Sequence, residues 1–363
     1  MPSIIDDGYR WFLRPLLFRL PPETAQKVAD LALSRTVLWR ALGPTLEVRN
    51  GRLFVELCDV TLGNPVGLAA GYDKNCKLIP SLSRLGFGYL TVGTVTVSAW
   101  PGNAKPRVLR LPDQESLLNG LGFPSDGLEK AAASLERAQG SIGGTLVIVS
   151  IAGTSVEEFV RCHRRLEPLA DAIELNISSP NTQGLKVFQE PEALAGLIDA
   201  INDGRKKPLV VKLPCYGVTE DGSAVPDEER ARPVALARAC ADVGVDALTV
   251  ANSRPTRDAR LSTGTGGLSG RSVFEGMLTM VSDVRREAGD VIAINACGGI
   301  FSGEDAWKAI RAGATTVQLL TGMVYRGPGI ARQINRELLE VMDREGMDAF
   351  MYATEQGTDG RHL

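Results

Sequence analysis

Histidine is almost absent from this chain of 363 residues, which contains only His163 and His362. Mechanisms that use a histidine base, and metal sites built on imidazole, therefore have few candidate residues. The six cysteines form no Cys-x-x-Cys pair; they are Cys58, Cys76, Cys162, Cys215, Cys240 and Cys297. Cysteines scattered in this way argue against a zinc site or a disulfide framework, and they favour a reducing compartment in which most of the thiols are buried.

A strong charge imbalance and long apolar runs are missing as well. The formal net charge is −3 and the pI is about 5.7, so nothing electrostatic supports binding to nucleic acid. No apolar run approaches the roughly 20 residues that span a bilayer, and no small-residue cleavage site follows the N-terminus. With 44% hydrophobic residues and a mean hydropathy near zero, the composition predicts a globular protein with a large core.

The first 45 residues form a segment of unusual composition. Between residues 9 and 20, aromatic and leucine side chains are interleaved with Arg10, Arg14 and Arg19. A Pro-Pro pair then interrupts the chain before a second helical stretch, from residue 23 to about residue 41. Apolar and arginine side chains mixed in this way are typical of a helix that lies in a membrane interface. A helical cap folded onto the rest of the protein is the alternative.

From residue 60 onward, short β-type runs alternate with helix-length segments, which is the pattern of a parallel sheet built from βα units. The predicted strands are 66–69, 89–95, 146–151, 172–177, 209–213, 247–251, 291–296 and 316–320. The predicted helices are about 75–86, 154–168, 190–204, 228–243, 273–288, 302–312 and 328–345. Eight alternations predict a closed (β/α)8 barrel over residues 46–345, with an insertion at about 97–145 and a polar tail over residues 346–363.

Polar residues follow the predicted strands, at the end of the barrel where active sites lie. The fourth strand leads into residues 176–181, Asn-Ile-Ser-Ser-Pro-Asn. Uncharged carboxamides and hydroxyls can hold a planar polar ligand, and one hydroxyl can accept a proton; a simple turn is the alternative. Lys212 ends the fifth strand within an apolar run. Because an unpaired buried ammonium is costly, Lys212 needs a specific reason to lie in such a run; an outward-facing, solvated lysine is the alternative.

Glycines follow the seventh and eighth strands, where barrels commonly bind phosphate through backbone N–H groups. These positions are Gly298-Gly299 and Thr321-Gly322, and residues 266–270 (Gly-Gly-Leu-Ser-Gly) add a further glycine-rich edge. The chain has no P-loop, and no Gly-x-Gly-x-x-Gly follows the first strand. The pattern therefore predicts a phosphate-bearing cofactor or substrate, and it argues against nucleotide hydrolysis and a Rossmann dinucleotide site.

Motifs along nearly the whole chain resemble the dihydroorotate dehydrogenase family, in its class 2, membrane-associated, quinone-using branch. The motifs are residues 67–74, 93–96, 101–103, 105–107, 119 with 122–123, 176–182, 266–271 and 298–300. Class 1 members have Cys where this chain has Ser179, and they lack the N-terminal helical extension. The resemblance implies oxidation of dihydroorotate to orotate with FMN, in pyrimidine biosynthesis. It also implies a membrane quinone as acceptor and, in a bacterium, a peripheral position on the cytoplasmic face of the inner membrane.

The resemblance also implies roles for individual residues. Ser179 is expected to be the base that removes the C5 proton while a hydride passes from C6 to FMN. Substrate contacts are expected from Lys74, Asn119, Gly120, Leu121, Gly122, Phe123, Asn176, Asn181, Asn252 and Ser253. Cofactor contacts are expected from Ala70, Gly71, Lys74, Thr94, Ser150, Asn176, Lys212, Ala251, Gly270, Gly299, Leu320 and Thr321. Lys74 would lie near the substrate carboxylate, and Lys212 would stabilise negative charge on the reduced flavin.

Some positions depart from the class 2 pattern. Ser150 replaces an Asn, Ala251 replaces a Thr, and Gly120 follows Asn119 where the family has Arg. In the quinone tunnel, Gln26 stands at a His position and Leu320 at a Tyr position, while the tunnel residue Arg107 is retained. These departures leave two alternatives open. One is a diverged FMN-dependent oxidoreductase with another small substrate or acceptor, and the other is a flavin-binding or membrane-docking protein without turnover.

Overall fold

Eight parallel strands close into a barrel in the computed structural model, which describes residues 7–178, 184–216 and 227–349. The strands of the described chain are β1 (Val55–Leu57), β2 (Val60–Leu62), β3 (Val66–Leu68), β4 (Tyr89–Val95), β5 (Val108–Leu111), β6 (Ser116–Asn119), β7 (Leu146–Ile151), β8 (Ala172–Asn176), β9 (Leu209–Lys212), β10 (Ala247–Val250), β11 (Arg254–Arg257), β12 (Thr265–Gly270), β13 (Ala293–Cys297) and β14 (Thr316–Leu319). The barrel order is β3-β4-β7-β8-β9-β10-β13-β14, and β14 pairs back with β3. The (β/α)8 prediction is therefore confirmed.

Continuous burial explains why the barrel strands were visible in the sequence. Every residue of β4, β7 and β8 is buried, as expected for parallel strands that are covered on both faces. Gly67 on β3 leaves room for the ring of Tyr89 inside the barrel, since a Cβ at this glycine would fall 2.3 Å from Tyr89 Cζ. The Tyr89 hydroxyl lies 2.7 Å from Thr316 Oγ1, so the interior of the barrel contains polar groups as well as apolar ones.

Helices cover the outside of the barrel and form the N-terminal segment. They are α1 (Arg14–Phe18), α2 (Pro22–Leu33), α3 (Thr36–Leu46), α4 (Ile79–Leu82), α5 (Leu128–Ala138), α6 (Val156–Leu166), α7 (Pro191–Asn202), α8 (Asp227–Asp242), α9 (Phe274–Ala288), α10 (Gly303–Arg311), α11 (Thr321–Arg326) and α12 (Ile330–Glu345). A π-helical turn, Tyr9–Leu13, precedes α1. Local signals set several ends: Ser302 and Asp305 form a capping box at the start of α10, and Gly346 ends α12 in the left-handed conformation.

Two predicted helices differ from those observed. The helix predicted over 75–86 is limited to α4, because the Asp73 carboxylate accepts the backbone N–H groups of Lys77 and Leu78 and holds a turn there. The stretch predicted over 23–41 is two helices, α2 and α3. They meet at a corner where Trp39 Nε1 donates to the carbonyl of Ala32 at 2.9 Å. The seventh strand begins at residue 293, since residues 289–291 form a 3₁₀ turn.

A second sheet was not predicted from the sequence. Strands β5 and β6 of the insertion form one hairpin, and β11 and β12 of the segment after β10 form another; β6 pairs with β12, which gives an antiparallel four-stranded sheet in the order β11-β12-β6-β5. Its small apolar core consists of Leu118, Leu261, Leu268 and Val273. Ser269 Oγ lies 2.9 Å from Thr321 Oγ1, so this sheet packs over the carboxyl ends of the barrel strands.

The N-terminal segment packs against the same end of the barrel. Tyr9 donates its hydroxyl to the carbonyl of Val324 at 2.7 Å, and Arg14 donates to the carbonyl of Tyr325 at 3.1 Å. The first domain was predicted to end at residue 45; α3 runs to Leu46, which is fully buried in the main core. No helix in the described ranges is both long and apolar enough to cross a membrane. Residues 350–363 of the predicted tail lie outside the described residues.

Candidate active site

One cavity of about 480 Å³ joins the mouth of the barrel to the N-terminal helices. The predicted site residues that line it are Ala70, Gly71, Lys74, Thr94, Asn119, Leu121, Gly122, Phe123, Asn176, Lys212, Asn252, Ser253, Gly270, Gly299, Leu320 and Thr321. Ser150, Ala251 and Gly120 are not among the lining residues. Ser179 and Asn181 lie outside the described residues. Strand ends that are far apart in the sequence thus contribute to one continuous space.

A chain of side-chain hydrogen bonds crosses the mouth of the barrel. Asn176 Nδ2 donates to Thr94 Oγ1 at 2.9 Å, and Ser178 Oγ donates to Asn176 Oδ1 at 2.7 Å. Asn252 Nδ2 then donates to Ser178 Oγ at 2.7 Å. Thr94, Asn176 and Ser178 are each about 95% buried or more. Asn176 is therefore a fixed link between β4 and the segment after β10, and its orientation is set by protein partners.

Three predicted residues lie behind the cavity wall. Ser150 is fully buried and its hydroxyl lies 3.2 Å from Thr94 Oγ1, so it extends the hydrogen-bond chain away from the cavity. Ala251 is buried, and its backbone N–H donates to the carbonyl of Cys297 at 3.1 Å. The N–H of Gly120 donates to the carbonyl of Arg107. Their predicted contacts to ligands stay predictions; the structure places all three where they support lining residues.

Lys212 is buried at the end of β9, as its apolar surroundings in the sequence indicated. Its Nζ lies 3.9 Å from Cys297 Sγ, and no carboxylate of the described residues lies within ion-pair distance. Burial alone would lower the pKa of Lys212, but attraction to the Cys297 thiolate, when that thiol ionises, and to the Glu174 carboxylate more than offsets that effect and raises it. The lysine is thus charged and faces a cavity, which suits a ligand that carries or acquires negative charge.

Lys74 is the second unpaired cation of the mouth. It is half-buried and forms no hydrogen bond or ion pair within the described part of the chain. Burial lowers its pKa, and attraction to Asp30 and Asp73 opposes that shift. Asp73 cannot approach further, because its two oxygens accept the N–H groups of Lys77 and Leu78. Lys74 is therefore available for an anionic group of a ligand.

The opposite end of the cavity is mostly apolar and is formed by α1, α2 and α11. Its apolar lining includes Leu13, Leu17, Val28, Ala29, Leu33, Leu320, Met323 and Val324. Gln26 and Arg110 are polar exceptions; Gln26 Nε2 lies 3.5 Å from the carbonyl of Tyr72, and Arg110 donates to the carbonyl of Leu20 at 2.7 Å. Arg107 bonds to Glu23 at 2.9 Å instead and attaches α2 to the insertion.

The glycine positions predicted to bind phosphate adopt conformations that few other residues allow. Gly270 has a φ of +99° and Gly299 has a φ of +74°. A Cβ at Gly299 would also fall 2.6 Å from Phe274 Cβ. Together with the hydroxyls of Ser269 and Thr321, these residues form a small polar recess in the cavity wall. A phosphate group fits this donor set.

Two charged residues of the site were missed in the sequence. Glu174 is fully buried inside the barrel, and the signal that identified Lys212, a charge within an apolar run, applies equally to it. Asp30 lies on α2 near Lys74, and its Oδ1 is buried with no hydrogen-bond partner in the described ranges of the chain. Burial raises the pKa of Asp30 to about 6. No pattern in the sequence of α2 indicates that position.

Comparisons with known proteins agree with this architecture. A family model described as Dihydroorotate dehydrogenase matches residues 52–342. Dihydroorotate dehydrogenase (quinone) of Halobacterium salinarum is 34% identical over 351 residues, covering 93% of this chain and 96% of that protein. The protein of the same name from Chloroflexus aurantiacus is 36% identical over 362 residues, with 91% and 96% covered. A crystal structure of DHODH from Eimeria tenella in complex with ferulenol has a TM-score of 0.81 and 28% identity, with 96% and 99% covered.

Proposed function

The chain belongs to the dihydroorotate dehydrogenase family, and we propose that it oxidises dihydroorotate to orotate in pyrimidine biosynthesis, with FMN as cofactor and a membrane quinone as acceptor. The observation that carries the proposal is the single cavity with two chemically different ends. Its polar end contains two lysines that form no ion pair with the described residues, together with several carboxamides, and this set suits an anionic pyrimidine. Its apolar end suits a quinone.

The cofactor would lie across the polar mouth, with its phosphate in the recess formed by Gly270, Gly299 and Thr321. FMN supplies the capacity to accept and return two electrons. Lys212 would lie beside the ring, where its ammonium stabilises the negative charge that reduction creates. Thr94 and Gly71 would form the wall on the other side; the φ of +105° at Gly71 turns the backbone there without a side chain.

The substrate would be held by charge and by carboxamides. Lys74 would bind the carboxylate of dihydroorotate, and Asn119 and Asn252 would bind the amide edges of its ring. Asn176 would orient Asn252 through Ser178, as the 2.7 Å hydrogen bonds of that chain allow. Ser179 would accept the C5 proton. A serine hydroxyl is a weak base, so a neighbouring acceptor must take the proton on.

The acceptor would enter from a lipid surface through the N-terminal segment. Trp11 is 66% exposed and Phe12 is 72% exposed, and Leu16 is also more than half exposed. These side chains stand beside Arg10 and Arg19, and apolar side chains flanked by cations favour peripheral contact with anionic lipid. We infer peripheral membrane association from this exposed face.

Anaerobic reduction tests the proposed function directly. The purified protein should be yellow, and dihydroorotate added without oxygen should bleach the flavin absorbance; a long-chain quinone in vesicles should then restore it. A colourless protein that does not bind added FMN would contradict the proposal, and so would a yellow protein that dihydroorotate leaves oxidised. Bleaching without recovery by quinones, but with recovery by a soluble dye, would favour another acceptor. Another acceptor is included in the test because Gln26 and Leu320, which depart from the class 2 pattern, line the cavity.

A further inference from the structure

A carboxylate lies inside the barrel at a place that the proposed reaction does not use. Glu174 is in the middle of β8, and its side chain is fully buried. Its Oε2 accepts a 2.8 Å hydrogen bond from Thr249 Oγ1 on β10, while its Oε1 has no hydrogen-bond partner among the residues that the structure describes. A buried carboxylate with an unsatisfied oxygen is costly unless a nearby positive charge compensates for it.

Lys212 supplies that positive charge from the neighbouring strand. In the ladder between β8 and β9, Glu174 pairs with Val210 and Asn176 pairs with Lys212. Because side chains two residues apart on a strand point to the same face, the side chains of Glu174 and Lys212 are diagonal neighbours of the barrel interior. Both are at least 97% buried, so their attraction is only weakly screened by water.

The other titratable groups that face this pair are Cys297 on β13 and Tyr89 on β4. Burial raises the pKa of the Cys297 thiol, and burial also raises the pKa of the Tyr89 hydroxyl. Both groups are therefore neutral near pH 7. In the described part of the barrel, Glu174 is then the group that provides Lys212 with negative charge at that pH. Without it, burial would favour the uncharged amine.

We propose that Glu174 is a positioning residue that keeps Lys212 protonated in both redox states, and so fixes the number of protons that the site takes up when its cofactor is reduced. The inference rests on the proposed function, in which Lys212 balances the charge of reduced FMN. With a permanent ammonium at Lys212, reduction takes up two electrons and one proton. The site then carries one additional negative charge beside Lys212. Without Glu174, the lysine is neutral before reduction and gains a proton with the electrons, so two protons enter.

The pH dependence of the FMN reduction potential distinguishes these cases. Each proton taken up per two electrons changes the equilibrium constant for reduction tenfold per pH unit. The wild-type protein should show a tenfold change per unit between about pH 6 and pH 9, while Glu174→Gln should show a hundredfold change over part of that interval. Glu174→Asp, which keeps the charge, should follow the wild type. Thr316→Val is the matched control, because it removes a buried barrel hydroxyl without changing charge.

A second measurement needs no cofactor. In flavin-free protein with isotopically labelled lysine, the NMR signal of Lys212, identified by its loss in Lys212→Ala, should stay that of an ammonium up to pH 9 in the wild type. In Glu174→Gln the same signal should titrate below pH 9. This NMR titration tests the inference even if the protein fails to bind FMN. A failure to bind FMN would overturn the proposed function and not the inference.

Two results would overturn the inference. The first is a Glu174→Gln protein that takes up one proton over the whole range and keeps a charged Lys212. The second is an equal change in Glu174→Gln, Glu174→Asp and Thr316→Val, which would show that the barrel interior needs the packing of a polar residue there and not its charge.

Discussion

The mouth of the barrel and the N-terminal segment differ in the kind of side chain they present: interlocked polar groups at the mouth, and exposed apolar groups on the segment. At the mouth, Thr94, Asn176, Ser178 and Asn252 hold one another through buried hydrogen bonds of 2.7–2.9 Å. The N-terminal segment is held by hydrogen bonds such as that of Tyr9 with the carbonyl of Val324 and by the buried apolar side chains of Leu33 and Leu46. Its exposed side chains include Trp11, Phe12 and Leu16, with Arg10 and Arg19 beside them.

This difference matches the two halves of the proposed reaction. Proton and hydride removal require donors and acceptors that are fixed to within a fraction of an ångström, and interlocked side chains supply them. A quinone that arrives from a lipid surface requires an apolar entrance and little directional bonding. Substitutions at the mouth should therefore affect chemistry, and substitutions in the N-terminal segment should affect acceptor access and docking.

Ser179→Ala should give the largest effect, a loss of about 10²–10⁴ in the rate of flavin reduction, because it removes the proposed proton acceptor. FMN and dihydroorotate binding should persist. Stopped-flow reduction under anaerobic conditions measures the rate. Ser178→Ala is the matched comparison: its hydroxyl donates to Asn176 and accepts from Asn252, so the loss there should correspond to two hydrogen bonds, about 2 kcal/mol or thirty-fold. Equal losses in the two variants would remove Ser179 from the role of base.

Lys212→Ala should weaken FMN binding by about 10- to 100-fold, or lower the potential of the flavin that remains, because a charge-assisted interaction is worth about 1.5–3 kcal/mol. Flavin content after gel filtration and a dye-equilibrated potential measure the two effects. Lys77→Ala, which breaks an exposed ion pair with Asp126, should change neither. If Lys212→Ala kept normal flavin content and potential and weakened only orotate binding, the lysine would belong to the substrate.

Replacing Trp11, Phe12 and Leu16 together by serine should leave dye-linked oxidation of dihydroorotate within about two-fold of the wild type. Binding to anionic vesicles should fall by about tenfold or more, since each apolar side chain contributes on the order of 1 kcal/mol when it enters the interface. Vesicle sedimentation and quinone turnover are the measurements. Val291→Ser is the control, because Val291 is 85% exposed but lies at the other end of the barrel. Unchanged vesicle binding would show that the segment is only a structural cap.

The barrel could be predicted from the sequence because each strand is a short, mostly apolar run, and such a run can be recognised without knowing which strand pairs with it. The second sheet could not, because β5 and β6 come from one insertion while β11 and β12 come from a loop more than 100 residues later. β5 and β6 are only four residues long, and β11 and β12 are polar or glycine-rich, so these segments are recognisable as one sheet only when the two loops meet over the barrel.

The candidate site shows the same limit. Lys212 could be identified because a lysine in an apolar strand needs a reason, and Glu174 could have been identified in the same way. The hydrogen-bond chain from Thr94 to Asn252 could not, since it depends on how the strand ends face one another. Asp30 could not be identified from the sequence either, because its burial depends on how α2 packs against Lys74 and Asp73.

Asp30→Asn should give the smallest effect. It should increase the free energy of unfolding, whereas the substitutions at the mouth should reduce a rate or a binding affinity. Burial raises the pKa of Asp30 to about 6, with Lys74 opposing and Asp73 adding to the shift. A carboxyl whose pKa is higher in the folded state stabilises the fold below its unfolded pKa, and that contribution is lost as the pH rises through about 6. The charged form therefore costs stability at pH 7–8. Because the side chain is partly exposed, the gain on substitution should be about 1 kcal/mol, after allowance for solvent screening.

Urea unfolding of the full-length protein at pH 5 and pH 8 measures this gain. Asp30→Asn should be more stable than the wild type at pH 8, and this gain should be smaller at pH 5. Asp199→Asn is the control, because Asp199 is an exposed carboxylate on α7 and should behave alike at both pH values. A loss of stability at pH 8 in Asp30→Asn would mean that the charge of Asp30 holds Lys74 in place. The N-terminal segment would then contribute a charge that the mouth requires, and the two regions would not act independently at the contact between Asp30 and Lys74.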